Sequence, residues 1–308
     1  MGDLMHALPA LTEAASNINN IEFDWVIDQN FSAIASWHPA VRKTIKTNHR
    51  MWKTHFFSKK VREEIKEFKS QINKSNYDAV VDMQNNLKSA FVSYSTKYDV
   101  SGMDKKSSRE FPAHWAYKSQ IEVDKSLHAI QRQKILLSEA LGYKTDLEKS
   151  FYGIEKYLFK KPNLDLPENY CVLVQNASWP TKLWSVKNWQ RLIVYLEEKN
   201  IACLVPSGTN EEKKRADEIV SQSKSAISTD IMGLNEVAFL IDKANFCICS
   251  DTGLAHLSAV VSTPSITLYG PTNPKLIGTF GTSQTHIIAE EGKMANISLE
   301  EVLATLKI

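Results

Sequence analysis

The 308-residue sequence has no apolar run that approaches the roughly 18 residues needed to span a bilayer. Its first residues lack a basic segment followed by an apolar one, and His6 stands where N-myristoylation needs Ser or Thr, so neither a signal peptide nor that lipid anchor is expected. The formal net charge is only +2 and no recognised nucleic-acid-binding module occurs, so no nucleic-acid partner is expected. These absences predict a cytoplasmic protein.

Cysteine is scarce, and all four cysteines lie in apolar runs typical of strands: Cys171, Cys203, Cys247 and Cys249. We predict buried, reduced thiols. The alternative, a metal site, needs more ligands nearby than these runs supply, so no metal site is predicted.

Strand-like and helix-like segments alternate along the whole chain, which is typical of parallel sheets with crossover helices. The length indicates two domains. Residues 159–170 contain two prolines, polar residues and no periodicity, so they are predicted to be a linker. We therefore predict an α/β protein with an N-terminal domain over 1–158 and a C-terminal domain over 171–308, each binding ligands at the carboxyl ends of its strands.

The predicted strands are the apolar runs of this alternation. In the first half they cover 21–28, 41–46 and 78–83, and in the second half 170–175, 202–206, 245–250 and 265–270. Helices are predicted between them, including one from about Leu87, one near 125–141 and one over 186–199.

The stretch "CICSDTGLAHLSAVV" is the most informative motif. A strand ends at Ser250, and Asp251, Thr252 and Gly253 form a tight turn into a helix. The free N–H groups and dipole of that helix suit a phosphate group, and His256 lies on the same helix face. The alternative is that Asp251 is an ordinary N-cap.

Two loops of the second half carry further candidates. Lys182 lies in "QNASWPTKLWSVKNW" and is either a solvated loop lysine or a cation that neutralises a diphosphate. Glu211 and Glu212 begin a helix, where they either complement its dipole or bind hydroxyls of a ribose or sugar.

In the first half, Asp3 stands at the entrance to a helix as either an N-cap or a general base. Asp82, Gln84 and Lys88 follow a strand and are either loop scaffolding or contacts to an acceptor substrate.

A basic segment is the other feature of this half. The range Arg42–Lys69 holds ten Lys or Arg residues against three acids, interleaved with Trp52, Phe56 and Phe57. It is either a solvated helix face or a surface for an anionic partner, such as phosphate, carboxylate or anionic lipid.

In their order and content, seven stretches together resemble one known family: "MGDLMHALPALTEA", "FDWVID", "YDAVVDMQNNLKSA", "REFPAH", "TKLWSVKNW", "EVAFLIDKANFCICSDTGLAHLSA" and "LYGPTNPKLIG". The sequence is similar to the heptosyltransferases of glycosyltransferase family 9 over nearly its whole length. Within the family it resembles most the members that add the first heptose to the lipopolysaccharide inner core.

The resemblance implies a GT-B fold, that is, two Rossmann-like doubly wound domains facing a cleft, with the acceptor on the N-terminal side and the nucleotide-sugar on the C-terminal side. It implies inverting transfer of heptose from ADP-heptose to the Kdo of Kdo2-lipid A, with no metal ion or cofactor. Because that acceptor is lipid-anchored, it also implies peripheral binding to the cytoplasmic face of the inner membrane.

The resemblance also assigns residues by role. Asp3 takes the role of catalytic base, and Lys182 steadies the departing diphosphate. The implied donor-binding residues are Ser178, Glu212, Met232, Asp251, Thr252, Gly253 and His256, and the implied acceptor-binding residues are Arg50, Lys53, Lys88 and Arg109.

Three departures from the family pattern bear on these roles. Ala177 and Ser178 stand where the family often has two hydroxyl residues, and Met51 and Thr54 stand at positions that are usually cationic. Relatives also have a first strand before the Met-Gly-Asp stretch, so the first strand of the N-terminal domain is expected to be missing here. We therefore predict that Met1 is an internal methionine of a longer natural chain.

Two alternatives remain open at this point. One is another member of the family, such as a second heptosyltransferase or a transferase with a different acceptor. The other is a non-catalytic binder of a nucleotide-sugar or an anionic glycolipid.

Overall fold

The computed structural model describes residues 1–306, which pack into two compact units. One unit is Asp3–Glu155, and the other joins Met1–Gly2 to the chain from Lys156 onward. The predicted domains 1–158 and 171–308, with the linker 159–170, stay a prediction. The chain passes from one compact unit to the other between Glu155 and Lys156, slightly before the predicted end of the first domain. Over residues 1–306, no helix is both long enough and apolar enough to cross a membrane.

The Asp3–Glu155 unit alternates helices with short strands. In chain order the elements are α1 (Gly2–Asn17), β1 (Phe23–Asp28), α2 (Ser32–Ser36), β2 (Val41–Thr47), α3 (His49–Thr54), α4 (Lys59–Lys74), β3 (Val80–Val81), α5 (Leu87–Ser95), β4 (Val100–Met103), β5 (Ser119–Ile121) and α6 (Ala129–Leu141). A short 3₁₀ turn, Ala113–Ala116, precedes β5.

The strands of this unit form two parallel sheets, β1-β2 and β3-β4-β5. In the described part of the chain, no ladder joins β1 to β3. The two sheets share one apolar cluster, in which Ala10 and Leu11 of α1 and Leu137 of α6 pack with Trp25 of β1 and Val81 of β3. The helices therefore hold the two sheets in one core.

Helix α4 shows why the basic segment folds as it does. Its buried side chains are Val61, Phe68 and Ile72, which lie on one face at helical spacing. They pack on Ile45 of β2 and Trp52 of α3, so the cations of α4 lie on the opposite, exposed face.

The second unit is one parallel sheet with helices between its strands. Its elements are β6 (Tyr170–Val174), α7 (Val186–Glu198), β7 (Ala202–Ser207), α8 (Asn210–Val220), β8 (Ile227–Ile231), α9 (Leu234–Lys243), β9 (Phe246–Ser250), α10 (Gly253–Val260), β10 (Ser265–Tyr269), α11 (Pro274–Ile277), β11 (Gln284–Ile288) and α12 (Leu299–Thr305). All five residues of β6 are buried, as the near-continuous apolar run requires for a central parallel strand.

The strand order of this sheet is β11-β10-β9-β6-β7-β8. The chain runs from β6 through β7 to β8 on one side, and then from β9 through β10 to β11 on the other. The order therefore reverses between β6 and β9, and in doubly wound sheets a ligand binds outside the carboxyl ends of the strands at such a switch point.

The cysteine prediction is confirmed. All four thiols are free and buried in β6, β7 and β9. Within residues 1–306, no group of three His, Cys, Asp or Glu side chains is placed to hold a metal ion.

Candidate active site

An ion pair spans the switch point of the six-stranded sheet. Lys182 ends a 3₁₀ turn that follows β6, and Asp251 is the first residue after β9. Lys182 Nζ lies 2.6 Å from Asp251 Oδ2, with one fifth of the lysine side chain exposed and the carboxylate nearly buried. The structure therefore brings together two predicted site residues that lie 69 positions apart in the chain.

The next residues form the start of α10. Thr252 is its N-cap, with extended backbone angles (φ −148°, ψ 170°) and no capping hydrogen bond from its side chain, and Gly253 is the first helical residue. The N-cap alternative for Asp251 is therefore wrong, because the cap position is Thr252 and the aspartate carboxylate turns to Lys182. His256 is buried one turn further along α10.

Polar atoms without a hydrogen-bond partner lie at the same edge of the sheet. Among the described residues, Gln175 Oε1, Asn176 Oδ1 and Ser207 Oγ are enclosed and have no partner. Gln175 follows β6, where its amide donates to the Glu212 carbonyl at 3.2 Å, and Ser207 ends β7. Buried polar groups are nearly always satisfied in folded proteins, so three unpartnered oxygens at one edge of the sheet are unusual.

The other predicted donor residues lie in the loops of the same edge. Glu212, in the first turn of α8, accepts the Gly208 N–H at 2.7 Å, so its carboxylate does complement the start of a helix. Met232 follows β8 and donates its N–H to the Ser207 carbonyl at 3.4 Å. Ser178 is exposed in the loop after β6.

In the Asp3–Glu155 unit, Asp3 forms an ion pair with Arg109. The distance from Arg109 Nη1 to Asp3 Oδ2 is 2.5 Å, and both side chains are about half exposed. Asp3 lies inside the first turn of α1, which begins at Gly2, so the structure contradicts the alternative that Asp3 is the N-cap.

The electrostatics of this pair favour the charged carboxylate. Burial raises the pKa of Asp3, but the charge and hydrogen bond of Arg109, with a further contribution from His6, outweigh it and hold that pKa below the ordinary value. Asp3 is thus ionised at neutral pH, as a proton acceptor must be.

Two residues near the pair were missed by the sequence analysis. His6 is buried on α1 with its ring 5.5 Å from that of His128, edge to face. Arg132 of α6 donates to the Ser107 carbonyl at 2.6 Å, and burial, followed by the charge of Arg109, lowers the pKa of Arg132. His6 lies in one of the seven family-like stretches, but nothing in that stretch marked it as a site residue, and the helix of Arg132 carries no motif.

The loop that carries Arg109 is anchored to the turn that follows β3. Arg109 donates its N–H to the Asn85 carbonyl at 3.1 Å, and Asn85 adopts a left-handed backbone (φ 53°). The Asp82 carboxylate accepts the N–H groups of Gln84 and Asn85 and, at 2.7 Å, the hydroxyl of Tyr117. Asp82 is therefore scaffolding, and its carboxylate is fully engaged in the turn.

The remaining predicted acceptor residues are exposed cations of neighbouring helices. Arg50 and Lys53 lie on α3, and Lys88 lies in the first turn of α5. Burial lowers the pKa of His49 at the start of α3. The charge of Asp28 opposes that fall, and the charge of Lys88 adds to it. No salt bridge to Arg50, Lys53 or Lys88 occurs within residues 1–306.

A doubly wound parallel sheet with a cation and a helix N-terminus at its switch point is typical of enzymes that bind nucleotides. The chain belongs to glycosyltransferase family 9, the heptosyltransferase family, whose family model matches residues 65–306.

Known relatives agree with this membership. The chain is 34% identical over 307 residues to lipopolysaccharide heptosyltransferase 1 of Escherichia coli K12, covering 99% of this chain and 96% of the relative. It superposes on the E. coli heptosyltransferase WaaC with ADP at a TM-score of 0.92, with 34% identity and coverage of 99% and 95%. The same enzyme with ADP-2-deoxy-2-fluoro heptose gives 0.90, with 32% identity and the same coverage. These matches confirm the predicted GT-B fold class and the prediction of a glycosyltransferase.

Proposed function

We propose that the protein transfers L-glycero-D-manno-heptose from ADP-heptose to the Kdo of Kdo2-lipid A in lipopolysaccharide inner-core biosynthesis. The transfer is inverting and independent of a metal ion. The observation that carries the proposal is the Lys182–Asp251 pair beside the start of α10, at the switch point of the six-stranded sheet. The likeness to the structure of a heptosyltransferase with ADP-2-deoxy-2-fluoro heptose supports the choice of donor.

On the donor side, the departing diphosphate develops negative charge as the bond to the sugar breaks. In the proposal, Lys182 and the N–H groups at Thr252 and Gly253 stabilise that charge, in the place where other transferases use a metal ion.

On the acceptor side, Asp3 is the general base. Its carboxylate takes the proton of the acceptor hydroxyl while that oxygen attacks the anomeric carbon and the bond from that carbon to the phosphate oxygen breaks. One displacement inverts the anomeric configuration, ADP leaves with the bonding electrons, and the proton ends on Asp3.

Arg109 links acceptor binding to this step. A guanidinium binds a carboxylate in two parallel hydrogen bonds, so the carboxylate of Kdo competes with Asp3 for Arg109. When Arg109 turns to the acceptor, the pKa of Asp3 rises and the carboxylate becomes a stronger base at the moment the hydroxyl is in place. Arg132, Lys88, Arg50 and Lys53 supply further positive charge for the anionic acceptor.

The acceptor's acyl chains remain in the bilayer, so we place the enzyme on the cytoplasmic face of the inner membrane as a peripheral protein. The proposal names no nucleic-acid partner and no cofactor.

The replacement Asp3→Asn tests the proposal, because it removes the base and leaves the donor site untouched. We expect ADP release with Kdo2-lipid A to fall by about 10²–10⁴-fold while the affinity for ADP-heptose is unchanged. Asp99→Asn is the matched control, since Asp99 forms an exposed ion pair of the same 2.5 Å length with Lys118, outside the site.

Two outcomes would favour the alternatives. The protein would be a non-catalytic binder if the parent binds ADP-heptose but releases no ADP, and if the Asp3→Asn variant behaves in the same way in both assays. Turnover with the already heptosylated acceptor, and none with Kdo2-lipid A, would indicate a transferase that adds the second heptose.

A further inference from the structure

The turn between α3 and α4 exposes two consecutive phenylalanines. Phe57 is 89% exposed and Phe56 is 54% exposed, and their rings lie 5.8 Å apart, edge to face. Phe57 is the most exposed large hydrophobic side chain among the described residues. Single exposed apolar side chains are common, but an adjacent aromatic pair at the tip of a turn is an apolar surface that favours an apolar medium.

The chain on either side of this pair is basic. From Arg50 to Arg62 the chain contains five Lys or Arg residues and no Asp or Glu, and all five are exposed. Lys59 has one acidic neighbour, Glu63, at 3.9 Å in an exposed pair. Within residues 1–306, Lys60 and Arg62 form no salt bridge, so their charge remains available to a partner.

Buried side chains of α3 and α4 support this turn. Trp52 of α3 is buried against Phe68 and Val61 of α4, and its indole N–H donates to Glu64 Oε2 at 3.3 Å. The Ser58 N–H bonds to the His55 carbonyl at 2.9 Å, which closes the turn that carries the two phenylalanines. The aromatic pair is therefore held outward by packed helices.

We propose that residues 56–62, the docking turn, bind the surface of an anionic lipid bilayer. Phe56 and Phe57 enter the boundary between headgroups and acyl chains, and Lys59, Lys60 and Arg62 contact lipid phosphates. The inference rests on the proposed function, because a lipid-anchored acceptor requires the enzyme to work at a membrane. It goes further in naming the segment that makes contact.

The combination of groups selects lipid over other anionic partners. A nucleic acid or an acidic peptide satisfies the cations but gives the exposed Phe57 ring no apolar medium, whereas a bilayer surface supplies both. The position is also useful, because Lys53, a proposed acceptor contact, precedes Phe56 by less than one helical turn. Docking the turn thus places the acceptor-binding cations beside the headgroup layer.

Vesicle sedimentation of the full chain tests the inference, with vesicles of phosphatidylglycerol mixed into phosphatidylcholine and with phosphatidylcholine alone. We expect the parent to bind only the anionic vesicles. The pair Phe56→Ser and Phe57→Ser lowers the affinity by at least about tenfold. The pair Lys59→Gln and Lys60→Gln lowers it by about 25-fold, at about fivefold for each cation.

Control variants replace the same residue types elsewhere in the chain. Phe151→Ser removes another strongly exposed phenylalanine, and Lys105→Gln with Lys106→Gln removes another adjacent exposed lysine pair; both variants should bind as the parent does. A melting temperature equal to that of the parent shows that the exposed substitutions leave the fold intact.

Turnover on a soluble Kdo acceptor without acyl chains separates this inference from the proposed function. Docking-turn variants should keep that activity while losing vesicle binding. Equal vesicle binding by parent and variants, or equal binding to neutral vesicles, would overturn the inference and leave the transferase proposal standing. If replacing the lysines abolishes vesicle binding but replacing the phenylalanines does not, the inference would also be overturned, in favour of a purely ionic partner. If the parent binds vesicles as expected but shows no turnover, the proposed function would be overturned instead.

Discussion

The ion pair between Lys182 and Asp251 allows the structural role of this lysine to be separated from its proposed catalytic role. Replacing Lys182 by Gln leaves a nearly buried carboxylate without its cation. Breaking a fully buried pair costs roughly 3–5 kcal/mol and an exposed pair roughly 0–1 kcal/mol. Because a fifth of Lys182 is exposed, we expect the free energy of unfolding to fall by about 2 kcal/mol.

The double variant decides between the two roles. Lys182→Gln with Asp251→Asn replaces both charges by neutral groups of similar size, so most of the lost stability should return. Catalysis should not return, because the departing diphosphate still lacks its cation, and we expect kcat to stay about 10²–10³-fold below that of the parent. Urea unfolding gives the stability of each variant, and ADP release gives its turnover.

A second ion pair in the same unit serves as the control. Lys156 Nζ lies 2.6 Å from Asp242, which is as buried as Asp251 and keeps Lys243 as another partner at 3.0 Å. Lys156→Gln should therefore lower stability slightly and leave turnover unchanged. If the double variant at the switch point recovers turnover together with stability, Lys182 acts only on the fold and its assigned role in catalysis is wrong.

The sequence was sufficient to predict the central strands of the second unit, but not its edges. β6 and β9 are apolar and almost wholly buried, and both fall within predicted runs. The edge strands β8, "ISTDI", and β11, "QTHII", were not predicted. Each pairs on one side only and leaves polar side chains in water, so neither has the apolar run that marks a strand.

The first unit was harder to predict for a related reason. The strand expected over 78–83 is only Val80–Val81, because it pairs on one side with β4 alone. The short β4 and β5 and the six-residue helix α3 were missed, since each is too brief for its periodicity to be recognised.

Of the two ion pairs at the candidate site, one could be predicted from the sequence and the other could not. Asp251 and Lys182 follow buried strands, and the carboxyl ends of parallel strands share one edge of a sheet, so their proximity follows from the pattern. The pairing of Asp3 with Arg109 joins residues 106 positions apart, one on a helix and one in a loop, and no periodicity relates them. Only the fold places that cation on the carboxylate, and the proposed link between acceptor binding and base strength depends on that contact.

Two further predictions follow from the charges of the Asp3–Glu155 unit. Lys134 is buried on α6 at 3.3 Å from Glu13, so Lys134→Met should lower the free energy of unfolding by about 3–5 kcal/mol, measured in urea, without changing the affinity for ADP-heptose. Arg109→Gln removes the main charge that lowers the pKa of Asp3, so that pKa rises because burial then dominates. The base works when deprotonated, so the acidic limb of the kcat/KM profile should move to higher pH. The half-exposed pair of Asp3 and Arg109 adds at most about 1 kcal/mol to stability, so the free energy of unfolding should change little. An acidic limb at the same pH in parent and variant would show that the titrating group is not Asp3, or that Arg109 does not control it.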